Sequence, residues 1–396
     1  HHGPGPRRVR VHHTVSTPDV STPGVNTPGV STPAASAPPA GTPSDDRGVG
    51  GPDWELAARW GGHWASPGPT APRAELEALV ARLRASATRA VPLAARAGRF
   101  GTLVAGYPRA RVLVVDRPGW ARAAAASFAG LAVGLDPAPA GAGPAWSRPA
   151  GTAQVAGLLG LLAGRVLGQF DPFGTDEPGG RLLLVAPNVL HVERAMGVDP
   201  ADLALWVCVH EQTHAMQFAA APWLGEHLRT ALAGLLAPRD DDGAGPPAPG
   251  RTGARAVAAL RTLRGRAPAD DLGLLALALD PDQRREVERI GAVMSLLEGH
   301  ADVTMDAVPS RVIASRGQLR ARLDARRRAT GLDAVLRRLI GLDAKLLQYR
   351  RGADFVRGVR HSGGRTALEA VWSGPAALPT PAELLDPASW VRRVHG

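Results

Sequence analysis

The chain has 396 residues, 44% of them hydrophobic, which is enough for a sizeable core and suggests two to three domain-sized units. Its one cysteine, Cys208, excludes an intramolecular disulfide, and no run reaches the ~18 apolar residues of a membrane span. Net charge is +10, carried almost wholly by arginine, with Lys345 the only lysine. Residues 311–361 hold 14 basic and 4 acidic residues, and 14 − 4 equals the whole excess. That stretch reads as a solvated helical face, or else as a basic surface facing an acidic partner. It carries no nucleic-acid motif and few aromatics, so neither nucleic acid nor membrane is an expected partner. No signal peptide opens the sequence, and a cytoplasmic location is the expectation.

In chain order, residues 1–50 are a low-complexity tract with Thr-Pro at 17, 22, 27 and 32. Such a tract buries too little apolar surface to offset its ordering entropy and reads as a disordered tail. Order is expected from about Trp54, with a helix over 73–97, a strand at Val112–Val115 and an Ala-rich helix from Gly119 to Leu131. Residues 132–148 read as a loop and 151–168 as a helix. A second strand covers Leu182–Val185, placed where it could be a sheet edge that pairs with an extended peptide. Asp199-Pro200 is an N-cap and N1 pair opening a helix through Leu205, Trp206 and Val209 that stops by Pro222. An Asp/Pro/Gly-rich flexible loop follows at 237–253. Helices are expected at 254–264, 282–306, 316–329 and 332–357, and the C-terminal loops pack back through Trp372 and Trp390. The pattern is α+β and mainly helical with a small sheet, as an N-terminal subdomain over 51–236 and a C-terminal helical subdomain over 254–396.

The chemistry concentrates in His210-Glu211-Gln212-Thr213-His214, an H-E-x-x-H motif inside the capped helix. On a helix it sets two imidazoles on one face with a carboxylate beside them, which suits Zn²⁺ and a general base. Cys208, two positions before His210, falls on the opposite face and reads as core. A catalytic site needs a third protein ligand. The metzincin pattern would put Gly and His at the positions held by Gln217 and Ala220, so it fails. Glu298, on the expected helix 282–306, fits the alternative of a downstream glutamate; Glu286, Glu288 and His300 are rivals. Asp302, one turn on, can accept the second ring N–H of a ligand histidine. Glu211 is then free to act as the catalytic base. For the oxyanion, Tyr349 is a candidate, with His300 and Arg350 as equal rivals.

The segments Leu182–Asn188, Val198-Asp199-Pro200, Trp206–Glu211 and Gln217-Phe218…Pro222-Trp223-Leu224 resemble the zincin-like metallopeptidases, type 2. So do Val115–Trp120, Gly168–Phe173, Leu297–Asp302, Gln348-Tyr349-Arg350 and Trp390…Gly396. These are largely uncharacterised actinobacterial proteins, some labelled as associated with deazaflavin coenzyme biosynthesis. The resemblance spans roughly 54–396; the tail and the 237–253 loop look like additions. It implies a zincin fold, a metal site at His210, His214 and Glu298, and Glu211 as catalyst. It supplies no substrate. The expected function is a zinc-dependent metallopeptidase or amide hydrolase acting on a peptide or amide substrate. The alternative is a catalytically silent scaffold that docks an acidic partner on the basic 311–361 face.

Overall fold

The computed structural model describes residues 52–132, 147–174, 177–236, 281–330, 352–364 and 366–396. The expected tail, the 237–253 loop, the helix at 254–264 and most of 332–357, with Tyr349 and Arg350, lie outside these residues, as does nearly all of the 132–148 loop.

Two helices open the described chain, α1 (Trp54–Trp64) and α2 (Arg73–Gly98). They are followed by β1 (Arg111–Val115), α3 (Arg117–Ala132), α4 (Ser147–Ala163), β2 (Gly168–Asp171) and β3 (Arg181–Val185). Next come α5 (Ala186–Met196), α6 (Pro200–Ala220), α7 (Leu224–Leu236), α8 (Pro281–Ala307) and α9 (Arg316–Thr330). The described chain ends with α10 (Gly352–Ser362), two short 3₁₀ turns and α11 (Pro387–His395). The mainly helical fold with a small sheet is the one expected, and among the described residues no helix is long and apolar enough to cross a membrane.

The sheet order is β1-β3-β2, with β1 parallel and β2 antiparallel to β3. This corrects the expectation of a sheet edge at 182–185: β3 is the central strand. Leu182, Leu183, Leu184 and Val185 are all fully buried, because both faces of the strand are covered. Alternation then splits them: Leu182 and Leu184 join a core with α2, α5 and α6, while Leu183 and Val185 join one with α1, α3 and α4. The edge beside the site is β2, in a segment expected to end a helix at 168. That helix stops at Ala163, and Gly168 begins the strand instead. Helices α1, α5 and α7 were not anticipated either, nor was α11, in a C-terminal stretch expected to be loops. Pro187 looks like a strand terminator but occupies the first turn of α5, where a missing N–H costs nothing.

Helix α6 is capped as expected: Asp199 accepts from the Asp202 N–H at 2.8 Å. It is apolar on nearly every side and buried along most of its length, the setting of an all-round hydrophobic helix. Cys208 lies on its core side, where burial pushes the thiol far above its ordinary range. Helix α8 packs across α6 and contributes to two cores, through Met305 to one and through Val293, Leu296 and Leu297 to the other. Its close neighbour is α10, where Gly299 and Gly352 meet so tightly that a Cβ on Gly299 would lie 2.0 Å from the Gly352 carbonyl carbon. The C-terminal anchors behave as expected. Trp372 and Trp390 are buried, and the Trp390 indole donates to the Ala377 carbonyl at 2.9 Å.

Candidate metal centre

His210 and His214, one turn apart on α6, present their Nε2 atoms 3.1 Å from each other. From α8, Glu298 brings Oε2 to 3.6 Å from His210 Nε2 and Oε1 to 3.6 Å from His214 Nε2. Among the described residues these three form the one group whose donor atoms converge on a common point. A tetrahedral ion with bonds of 2.0–2.1 Å separates its ligand atoms by about 3.3 Å, so the chain fits such an ion with little movement. The histidines are mostly buried and Glu298 is half exposed, so the site opens to solvent on the α8 side. The rival Glu286 is elsewhere, paired with Arg289.

Each ligand has a setting. His214 Nδ1 lies 2.8 Å from Gln217 Oε1. The Gln217 amide group donates to the Leu297 carbonyl at 2.8 Å and faces His300 Nδ1 at 3.3 Å. His300 Nε2 in turn reaches the Gly98 carbonyl at 3.0 Å. A carbonyl only accepts, so His300 is protonated on Nε2 and accepts on Nδ1 from Gln217. That leaves Gln217 Oε1 as an acceptor, which puts the proton of His214 on Nδ1 and a lone pair on Nε2, towards the ion position. His300 is fully buried, and burial, with Arg360 nearby, pulls its pKa down to about 3, so the ring is neutral. It supports the site from below and is not at its mouth as an oxyanion donor. His210 Nδ1 lies 3.2 Å from Met305 Sδ. Asp302, expected to orient a ligand histidine, accepts from Arg320 at 3.0 Å; at His214 the orienting acceptor is the amide of Gln217.

Glu211 is buried beside the histidines and reaches β2, where Oε2 accepts the Phe170 N–H at 3.0 Å. The strand can come this close only because residue 168 is glycine: a Cβ there would sit 2.7 Å from Glu211 Cγ. Burial pushes the carboxyl up to about 7; Glu298 adds to the rise, and His214 and the Phe170 N–H oppose it. A carboxylate balanced near neutrality can both take and return a proton. Tyr349 and Arg350 lie outside the described residues.

Gln217 and the Phe170 N–H were not assigned to the site from sequence, and His300 was weighed only as a rival ligand or oxyanion donor. A signal for Gln217 existed: it lies at i+3 from His214, on the same helical face.

A family model described as zincin-like metallopeptidase matches residues 53–391. Among solved structures, the chain is similar to a candidate hydrolase with a novel fold from Chloroflexus aurantiacus, at 30% identity and a TM-score of 0.59. That match covers 86% of this chain and 98% of the other. No curated protein matches.

Proposed function

This chain belongs to the zincin-like metallopeptidase family, and from that premise we propose that it is a zinc-dependent hydrolase of peptide or related amide bonds. The observation that carries this reading is the convergence of two imidazole nitrogens and one carboxylate, 3.1–3.6 Å apart, with a second, buried carboxylate beside them. Two histidines and a glutamate are a donor set suited to zinc with a position left open. His210, His214 and Glu298 would hold the ion, which when bound supplies Lewis acidity and lowers the pKa of a coordinated water to ~7.

The remaining work falls to side chains of this protein. Glu211, held by the Phe170 N–H, takes a proton from the attacking water and returns it to the amine as the C–N bond breaks. Gln217 keeps His214 in the tautomer that leaves Nε2 available. The scaffold reading gains no comparable support. In the described part of the basic stretch, Arg320 and Arg357 pair with Asp306, and Arg316 donates to the Asp306 and Val308 carbonyls that end α8.

The test is Glu211→Gln against a broad peptide library. Turnover is expected to fall by about 10²–10⁴-fold while bound zinc stays at the native level, because Glu211 is not a ligand. A variant as active as the native protein would remove Glu211 from the mechanism.

A further inference from the structure

Aromatic residues are scarce in this chain, at 4%, and their distribution is uneven. Of its six phenylalanines, Phe100 and Phe355 are fully buried core. Three others, Phe170, Phe173 and Phe218, converge with Tyr107, one of only two tyrosines, on a cavity of about 260 Å³. Phe170, Phe173 and Phe218 are only partly buried and Tyr107 is exposed. Pro172 and Pro222 complete its apolar wall.

Two of the cavity's rings stand on elements that build the metal centre. Phe218 follows His214 by four residues on α6, one helical turn or about 6 Å along the axis. Phe170 is the residue whose N–H holds Glu211. The strand and the helix that hold the reactive groups thus also supply two of the rings that line the cavity. Its size falls below the roughly 300–1,000 Å³ of sites that enclose a whole small molecule, and suits one bulky side chain.

Its lining also selects chemistry. Phe170 and Phe218 are tilted at 5.5 Å and Phe173 stands perpendicular to Phe218 at 6.2 Å, so ring faces and edges border the space together. That offers an incoming ring the edge-to-face contacts aromatic pairs favour. At the rim, Arg229 is paired with Glu226 at 2.5 Å and stacks over Phe173, with its guanidinium carbon 5.8 Å from the ring centre. Glu177, which also lines the cavity, is paired with Arg111 at 2.8 Å, so each lining carboxylate is met by an arginine and neither a cationic nor an anionic residue is favoured.

We propose that this cavity is a specificity pocket for an aromatic side chain next to the scissile amide. The proposal rests on the amide-hydrolase reading for the words "scissile amide", but the pocket is testable without turnover. Zinc-loaded Glu211→Gln protein, which should bind without cleaving, is titrated calorimetrically with blocked hexapeptides. These differ only in having Phe, Leu, Ala, Lys or Asp at one or the other central position. The Phe peptide is expected to bind at least about tenfold tighter than the Ala peptide at one of the two positions, with Lys and Asp no better than Ala.

In Phe173→Ala and Phe218→Ala versions of the same protein the preference should shrink to about twofold, with zinc content unchanged. Phe173, partly buried in the loop after β2, guards against a Phe218 variant that fails to fold. Equal affinities, no binding of any peptide, or a preference that survives both substitutions would overturn the pocket. Failure of the native protein to hydrolyse any peptide would sink the hydrolase reading alone, because the binding preference is measured separately.

Discussion

His214 is held by successive hydrogen bonds that end on a backbone carbonyl, and a carbonyl admits one direction of donation. From Gly98 the direction propagates through His300 and Gln217 to the imidazole. Gln217→Leu would strip the orienting acceptor, remove a second donor from the Leu297 carbonyl and leave His300 Nδ1 unpartnered inside the protein. Zinc affinity is expected to drop about 10–100-fold by competition with a chromophoric chelator. Thermal stability should drop with it, by roughly 1–3 kcal/mol. Unchanged affinity would show that Met305 and the other neighbours orient the site without Gln217. At this scale the sequence carried the donors and the base, since residue type and i,i+4 spacing are local facts. It did not carry Gln217, because a glutamine three residues on acquires meaning only when the Leu297 carbonyl and His300 arrive from a helix 80 and 83 residues away.

Elements with strong local signals were legible. Asp199-Pro200 caps α6, the apolar run gives β3, and α2 and α8 keep helical spacing over 26 and 27 residues. Strand β2 was not, because Gly168-Gln169-Phe170-Asp171 has no alternation and becomes a strand by pairing with β3. The place of β3 in the sheet was misread for the same reason: a continuous apolar run fits a strand covered on both faces, and those covers lie far off in sequence.

The C-terminal segment supplies an element-scale prediction. Glu383 is mostly buried, which opposes its ionisation, but Arg393 at 2.6 and 2.9 Å and the Thr380 N–H and hydroxyl outweigh that and hold its carboxyl below the usual range. A carboxyl more acidic folded than unfolded stabilises the fold above its unfolded pKa of about 4.3, and that gain is lost as pH falls through the lower folded value. Melts of Glu383→Gln should therefore lie below the native protein at neutral pH and converge with it as pH drops below about 4. A constant gap across that range would contradict the assignment.

Across the whole molecule, the centre joins α6 to α8 over 84 residues of sequence (298 − 214), and the same two helices share both large cores. The outline of this arrangement was readable from one motif and one downstream glutamate. What was not readable is that much of the described basic stretch is spent internally. Arg316, Arg320 and Arg357 tie α9 and α10 to the last turns of α8. Because an ion at the centre would bridge α6 and α8, binding should couple to the stability of the fold that presents both. The most direct test is a zinc titration of chelator-stripped protein by calorimetry, repeated with His214→Ala, Glu298→Ala and Glu211→Gln. One zinc per chain in the native protein and in Glu211→Gln, with binding weakened at least about 100-fold in the other two, is the predicted result. A stripped protein that takes up no zinc, or uptake indifferent to His214 and Glu298, would contradict it.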